Sequence, residues 1–286
     1  MQLVEQHIIK RGGSRYDVID RAAFAAKNLY NAALYEVRQT FIFGHRYLGY
    51  TEVYHRMKTH EAYRALPRKM SQHVLKLLDK NWQAHFEACK AYEADPSRFL
   101  GHPKLPKYKD KAKGRHILIY MIQALSIPAL RRGLIQPSGL PIEIPTKQRH
   151  VDQVRIVPRT DYYVVEVVYE QAVQPASVDT SLYAAIDIGL NNLATLTANK
   201  VGFVPRLVNG RPLKSINQAY NKERARLNSA LMKEDAWRRT SPRLERLTNK
   251  RNRRVAYELH AASRRIVNLL IQEGIGTLII GNNLYT

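Results

Sequence analysis

Ala184-Ala185-Ile186-Asp187-Ile188-Gly189-Leu190-Asn191-Asn192-Leu193-Ala194-Thr195 is the stretch on which the reading of this chain turns. Tyr183 to Ile186 form a short apolar run, Asp187 closes it, Gly189 turns the chain, and a second apolar run follows. The pattern is that of two strands with one carboxylate at their junction. An ionised carboxylate in apolar surroundings is expensive unless something satisfies it. Asp187 is then either a metal ligand, its oxygens suiting Mg²⁺ or Mn²⁺, or a turn aspartate capping the N–H groups of Gly189 or Leu190. In the second case Asn191 and Asn192 are simple turn residues. A metal site needs more than one acid. The run Thr277 to Ile280 should lie beside the first strand and bring the next carboxylate, but Gly281, Asn282 and Asn283 follow it.

Outward from this stretch, charge dominates. Among 286 residues, 46 Lys and Arg stand against 24 Asp and Glu, a formal net charge of +22. Such an excess selects a polyanionic partner. Nucleic acid fits better than a small acidic metabolite, because counterion release rewards many phosphate contacts at once. No apolar run reaches the roughly 18 residues of a membrane span. The N-terminus also lacks a basic stretch followed by a short apolar core, so the chain reads as cytoplasmic with no membrane partner. Cys89 is the single cysteine, which excludes an internal disulfide and a multi-cysteine zinc knuckle. Its neighbours Ala84, Phe86, Ala88 and Tyr92 make it a buried structural thiol.

The N-terminal half divides into strand and helix. Leu3 to Lys10, ending at Gly12-Gly13, suits one strand. From Tyr16 to about Phe43, Ile19, Ala22, Ala23, Ala26, Leu29, Tyr30, Ala33, Leu34 and Val37 recur at helical spacing. A second helix runs from about Arg68 to Tyr92. After Asp95-Pro96-Ser97 comes a proline-bearing basic strap from Gly101 to Arg115, read as exposed and extended. Its Lys104, Lys107, Tyr108, Lys109, Lys111 and Lys113 are candidates for nucleic-acid contact, with Tyr108 and His102 able to stack on bases. Ile117 to Met121, Ile142 to Ile144, Val151 to Val157 and Tyr162 to Tyr169 read as strands of a small antiparallel sheet or barrel that the N-terminal strand joins.

Beyond a linker around Pro175, Ser215 reads as the cap of a helix bearing Ile216, Tyr220, Leu227 and Leu231, and Ser241-Pro242 starts another. At about 100° per residue, Leu244, Leu247, Val255, Leu259, Ala262, Ile266 and Leu269 share one sector. Arg243, Arg246, Lys250, Arg253, Tyr257 and Arg264 share the opposite one, which suits a nucleic-acid backbone better than a mixed-charge solvated face.

Three segments resemble the TnpB family, transposon-encoded proteins long described as transposases and related to type V CRISPR effectors. Ala185 to Thr195 is similar to its first RuvC motif. Gly101 to Lys109 is similar to its Gly-x-Pro-Lys-x-Pro-x-Tyr/Phe-Lys segment, and Leu247 to Arg254 to its basic helix, adding Arg254 to the candidate contacts. Gly276 to Asn283 resembles a branch with Ile-Gly-x-Asn here, whose acid is expected farther downstream. The resemblance implies an RNA-guided DNA endonuclease. In fold it implies an α+β chain, a wedge-type β-barrel with an inserted helical lobe, followed by an incomplete RNase H-like (RuvC) domain. The expected boundaries are 1–14 for the first wedge strand, 15–100 for the helical lobe and 101–172 for strap and remaining wedge. A linker at 173–182 and the RuvC portion at 183–286 complete the chain.

Under this resemblance Asp187 is the first catalytic carboxylate and metal ligand. Mg²⁺ belongs to the complete family site and is expected weak or absent here, with no zinc site. The family's later acids and four-cysteine ribbon do not occur after Asp187, so the chain is read as C-terminally truncated. It would bind guide-type RNA and DNA without cutting. The alternatives are a nuclease-dead RNA-guided repressor, a nuclease completed in trans by a separate C-terminal fragment, and a basic RNA-binding protein without catalysis.

Overall fold

The computed structural model describes residues 1–234 and 240–281. The chain divides into two compact units, Met1–Ala172 and Val173–Thr286.

In the first unit, β1 (Gln2–Lys10) leads through Gly12, at φ 87°, into α1 (Ser14–Gly44). Alanines at 22, 23, 25, 26, 32 and 33 favour the helix. Ile19, Ala23, Ala26, Leu29, Tyr30, Ala33, Leu34 and Val37 form its buried stripe. Two short helices follow, α2 (Tyr50–Met57) and α3 (Glu61–Arg64), then α4 (Arg68–Ala94), which buries Met70, Val74, Leu75, Leu78 and Trp82. Asp79 ties this group together by accepting from the Tyr47 hydroxyl at 2.8 Å and the Tyr50 N–H at 2.9 Å.

The chain then passes through the strap to β2 (Leu118–Met121), α5 (Ile127–Arg131), β3 (Leu134–Ile135), β4 (Ile144–Pro145), β5 (Gln153–Pro158) and β6 (Tyr162–Glu170). The sheet order is β1-β6-β5-β2, antiparallel throughout, with Gln2 opposite Glu170 and Lys10 opposite Tyr162. Central β6 is buried on both faces, which accounts for its run Tyr-Tyr-Val-Val-Glu-Val-Val-Tyr. Helices and sheet share one core, with Trp82, Tyr120 and Tyr163 its largest side chains.

The second unit begins with β7 (Asp179–Asp187), β8 (Asn192–Ala198) and β9 (Arg206–Asn209), continues with α6 (Arg211–Glu234) and α7 (Pro242–Gln272), and returns in β10 (Ile275–Ile280). The order is β10-β7-β8-β9, with β10 parallel to β7 and the other pairs antiparallel. Ala184, Ile186, Ala194 and Leu196 pack against Ile266 and Leu270 of α7 and Ile275 of β10. Side chains alternate across a strand, so Tyr183, Ala185 and Asp187 project from the opposite face.

The structure departs from several expectations. The first unit's strands form an open four-stranded sheet and a two-stranded ribbon, β3 with β4, rather than a closed barrel. β7 begins at Asp179, inside the segment read as linker, because Asp179 already pairs with Ile275 of β10, its N–H donating to the Gly274 carbonyl at 2.8 Å. Ser215 lies inside α6 rather than capping it; Asn209 accepts from the Arg211 N–H at 3.0 Å, one turn earlier. Leu259 is exposed despite its place in the apolar sector, and it is not among the side chains packed in the core of the second unit. Cys89 is only half-buried, its Sγ lying 3.7 Å from His85 Nε2.

Candidate nucleic-acid interface

The strap is not a free ribbon. It runs antiparallel along one side of α1, and its backbone is held there by side chains of the helix. Arg38 Nη1 donates to the Pro106 carbonyl at 3.1 Å, and Asn31 both donates to the Lys109 carbonyl and accepts from the Lys109 N–H, each at 2.9 Å. Lys27 Nζ donates to the Lys111 carbonyl at 2.7 Å, and the His116 N–H donates to the Ala23 carbonyl at 3.0 Å. Arg115 closes the run with a bidentate pair to Asp20, at 2.8 and 2.6 Å, while the Tyr163 hydroxyl donates to the same carboxylate at 2.7 Å. The guanidinium and the phenol both favour the charged form, and the Asp20 carboxyl is held below its usual range, Arg115 being the largest cause.

This docking sorts the strap candidates. Lys104, Lys107, Tyr108, Lys111 and Lys113 are exposed. Lys109 is half-buried, with its ammonium 5.4 Å from the centroid of the Tyr30 ring. His102 packs edge-on against Tyr92, ring centroids 5.1 Å apart. Sequence reasoning missed Lys27, only 2% exposed and 3.8 Å over the Phe24 ring, along with Asn31 and Arg38. Their signal was present: polar residues at 20, 27, 31 and 38 follow helical spacing beside the apolar stripe.

In the second unit, Ser241 caps α7 by accepting from the Leu244 N–H at 3.2 Å. Arg243, Arg246, Lys250, Arg253, Arg254 and Arg264 are all exposed, and so is Tyr257. Arg251, on the flank toward α6, is instead engaged with Asn217 Oδ1 at 2.8 Å and lies over Tyr220. The outward face of α7 is thus predominantly cationic over about six turns, with Glu258 at its edge.

Asp187 ends β7 with its side chain exposed on the sheet face away from α7, paired in register with Thr195 of β8. It takes no hydrogen bond from Gly189 or Leu190, so the turn-cap reading is not realised. Ile280 stands beside Ile186, and the Gly281 N–H donates to the Ile186 carbonyl at 3.4 Å. The residue that follows β10 beside the end of β7, next to Asp187, is therefore Gly281. Asn282 and Asn283 lie outside the described residues. The hairpin between β7 and β8 is seated tightly: a Cβ on Gly210 would fall 2.6 Å from the Leu190 carbonyl oxygen and 3.0 Å from that of Asn191. Lys214 reaches Asn191 Oδ1 at 3.0 Å.

This strand arrangement, with its acid at the end of the first strand, lies inside a recognisable sequence signature. Residues 166–285 match the OrfB_IS605 family model, described as a probable transposase. The match spans β7 through β10, including the Asp187 hairpin and the basic face of α7. No curated protein matches the chain. Among solved structures, a chain of a Cas12f1–sgRNA–target DNA complex superposes with a TM-score of 0.53 at 12% identity, over 93% of this chain and 65% of that one. A chain of a CRISPR–Cas12f ternary complex gives a TM-score of 0.38 at 15% identity, over 93% and 63%. The chain therefore has a Cas12f1-like fold and spans about two thirds of the length of that relative. Among the described residues no helix is long and apolar enough to cross a membrane.

Proposed function

We propose that this OrfB-type protein binds guide-type RNA and, with it, DNA, in the manner of TnpB proteins. The observation that carries the reading is the predominantly cationic face of α7 in the same unit as the Asp187 hairpin, within the segment that matches a transposase family. The Cas12f1 chain of similar fold is seen bound to a single guide RNA and target DNA, which supports the same partners here. The β10-β7-β8-β9 order, with a parallel strand added beside an antiparallel meander, supports an RNase H-like (RuvC) identity for the second unit.

Asp187 is then the first acid of that site. Two-metal cleavage needs several carboxylates around ions about 4 Å apart, and the residues present do not fit that demand. Among the described residues no group of three or more His, Cys, Asp or Glu could hold a metal, and Gly281 stands beside Asp187. One exposed carboxylate does not make a Mg²⁺ site, and by itself it supports no cleavage step. Binding without cutting is the activity proposed for the 286 residues.

The test is to incubate the purified chain, loaded with its co-purifying RNA, with matched duplex DNA and Mg²⁺. Retention of the DNA with no cutting is expected. Cutting that Asp187→Ala abolishes would contradict the binding-only reading, and the absence of any RNA or DNA retention would contradict the whole proposal.

A further inference from the structure

We propose that α1 and the docked strap form a stacking track for unpaired bases, with Tyr35 and Tyr108 as its rings. The inference rests on the nucleic-acid reading above and extends it to a surface of the first unit.

The geometry starts from the line along which the strap docks. Asp20, Lys27, Asn31 and Arg38 hold strap backbone and the Arg115 side chain along one side of α1. At about 100° per residue, Tyr35 lies about 60° around the helix from Arg38 and one turn before it. It therefore flanks the strap near residues 106 to 109. Tyr35 is 53% exposed and Tyr108 is 45% exposed. Arg38 lies over the Tyr108 ring, its guanidinium carbon 5.2 Å from the centroid, and its Nη1 is tied to the Pro106 carbonyl.

Tyr108 is thus held on both sides in sequence, by Arg38 at Pro106 and by Asn31 at Lys109. Its ring is presented to solvent by a fixed backbone rather than a mobile loop, so little ordering remains to be done on binding. Lys104 and Lys107 are exposed on the same strap, and among the described residues neither ammonium has an ion-pair partner. Rings interleaved with such cations are the arrangement that binds single strands: each base presents a face to an aromatic ring, and the phosphates meet the lysines. A duplex hides its base faces in the stack. The ligand class is therefore an unpaired stretch of RNA or DNA, and not a continuous duplex.

The experiment uses the full chain and single-stranded RNA and DNA of one sequence, with 2-aminopurine placed at successive positions, beside a blunt duplex of the same length. Stacking on a tyrosine quenches the probe. Expected are a position-specific quench on wild-type protein and its loss in Tyr35→Ala and Tyr108→Ala. Each substitution should weaken single-strand binding about tenfold, leave duplex binding unchanged, and be rescued by the Tyr→Phe replacement. The larger effect in the RNA or the DNA arm identifies which strand uses the track. Wild-type quench and affinity in both alanine variants would overturn the track while leaving the nucleic-acid reading standing, as would equal weakening on duplex and single strand. No binding by wild type even at low salt would overturn the parent reading instead.

Discussion

Asn31 and Lys109 exchange two hydrogen bonds of 2.9 Å, the side-chain amide of Asn31 taking the place of a neighbouring strand's backbone. Helix α1 thereby carries an extended segment along its side, and a stretch that composition alone would leave free becomes part of the folded unit.

Asn31→Ala removes both bonds and leaves a peptide group unsatisfied. The expected cost is about 2 kcal/mol in denaturant unfolding. Trypsin should also cut faster after Lys107 and Lys109 in the variant than in wild type. Unchanged cleavage would show that the strap does not depend on this pair of bonds.

His116 makes stability pH-dependent. Buried against Tyr30, ring centroids 4.9 Å apart, with Nδ1 2.8 Å from the Ile117 carbonyl, its imidazole is pushed down by burial from 6.5 to about 4. The unfolded chain takes up a proton near pH 6.5 that the folded chain refuses until about pH 4. Stability is thus complete above the higher value and falls as pH drops between the two, by up to about 3 kcal/mol. His73 and His85, also held low by burial, act in the same direction. His116→Phe should flatten the decline in urea unfolding midpoints between pH 7 and 4 relative to wild type; an equal decline would assign it elsewhere.

Replacing Arg243, Lys250, Arg254 and Arg264 with Gln should leave helix content unchanged, because all four are exposed on the face of α7 away from the buried Leu244, Ala262, Ile266 and Leu270. Binding to RNA should weaken, and the slope of log affinity against log salt should fall by about 0.7 to 0.9 for each phosphate no longer neutralised. A variant with wild-type slope would exclude this face from the interface.

Gly210→Ala should push the β7–β8 hairpin off its seat, since the added carbon meets the carbonyl oxygens of Leu190 and Asn191. Overpacking of this kind costs about 1 to 3 kcal/mol. Thermal unfolding checks it, and a midpoint within error of wild type would mean that the loop yields without cost.

The long elements were legible because their chemistry is local. The apolar repeat of α1, the apolar stripe of α4, the Ser241 cap and the Val/Ile/Tyr runs of β5 and β6 need no distant partner to be recognised. The apolar run of β10 marked it as a strand, and its place beside β7, expected from a nuclease-type fold, is observed. What escaped was non-local. The docking of the strap depends on Lys27, Asn31 and Arg38 meeting carbonyls 84, 78 and 68 residues away; helical spacing sets these side chains on one line of α1 but does not name such distant partners. Lys109 illustrates the result: among the strap lysines its side chain turns inward over Tyr30, although its residue type matches the others. Short α2, α3 and α5 also gave too few turns for a periodic signal.

The most direct test is to express the chain with an affinity tag, purify it in moderate salt and sequence the RNA that comes with it. The account predicts one discrete RNA species, retained by wild type and released by the α7 substitutions. A heterogeneous RNA population no different from that on an equally basic control protein would contradict guided binding.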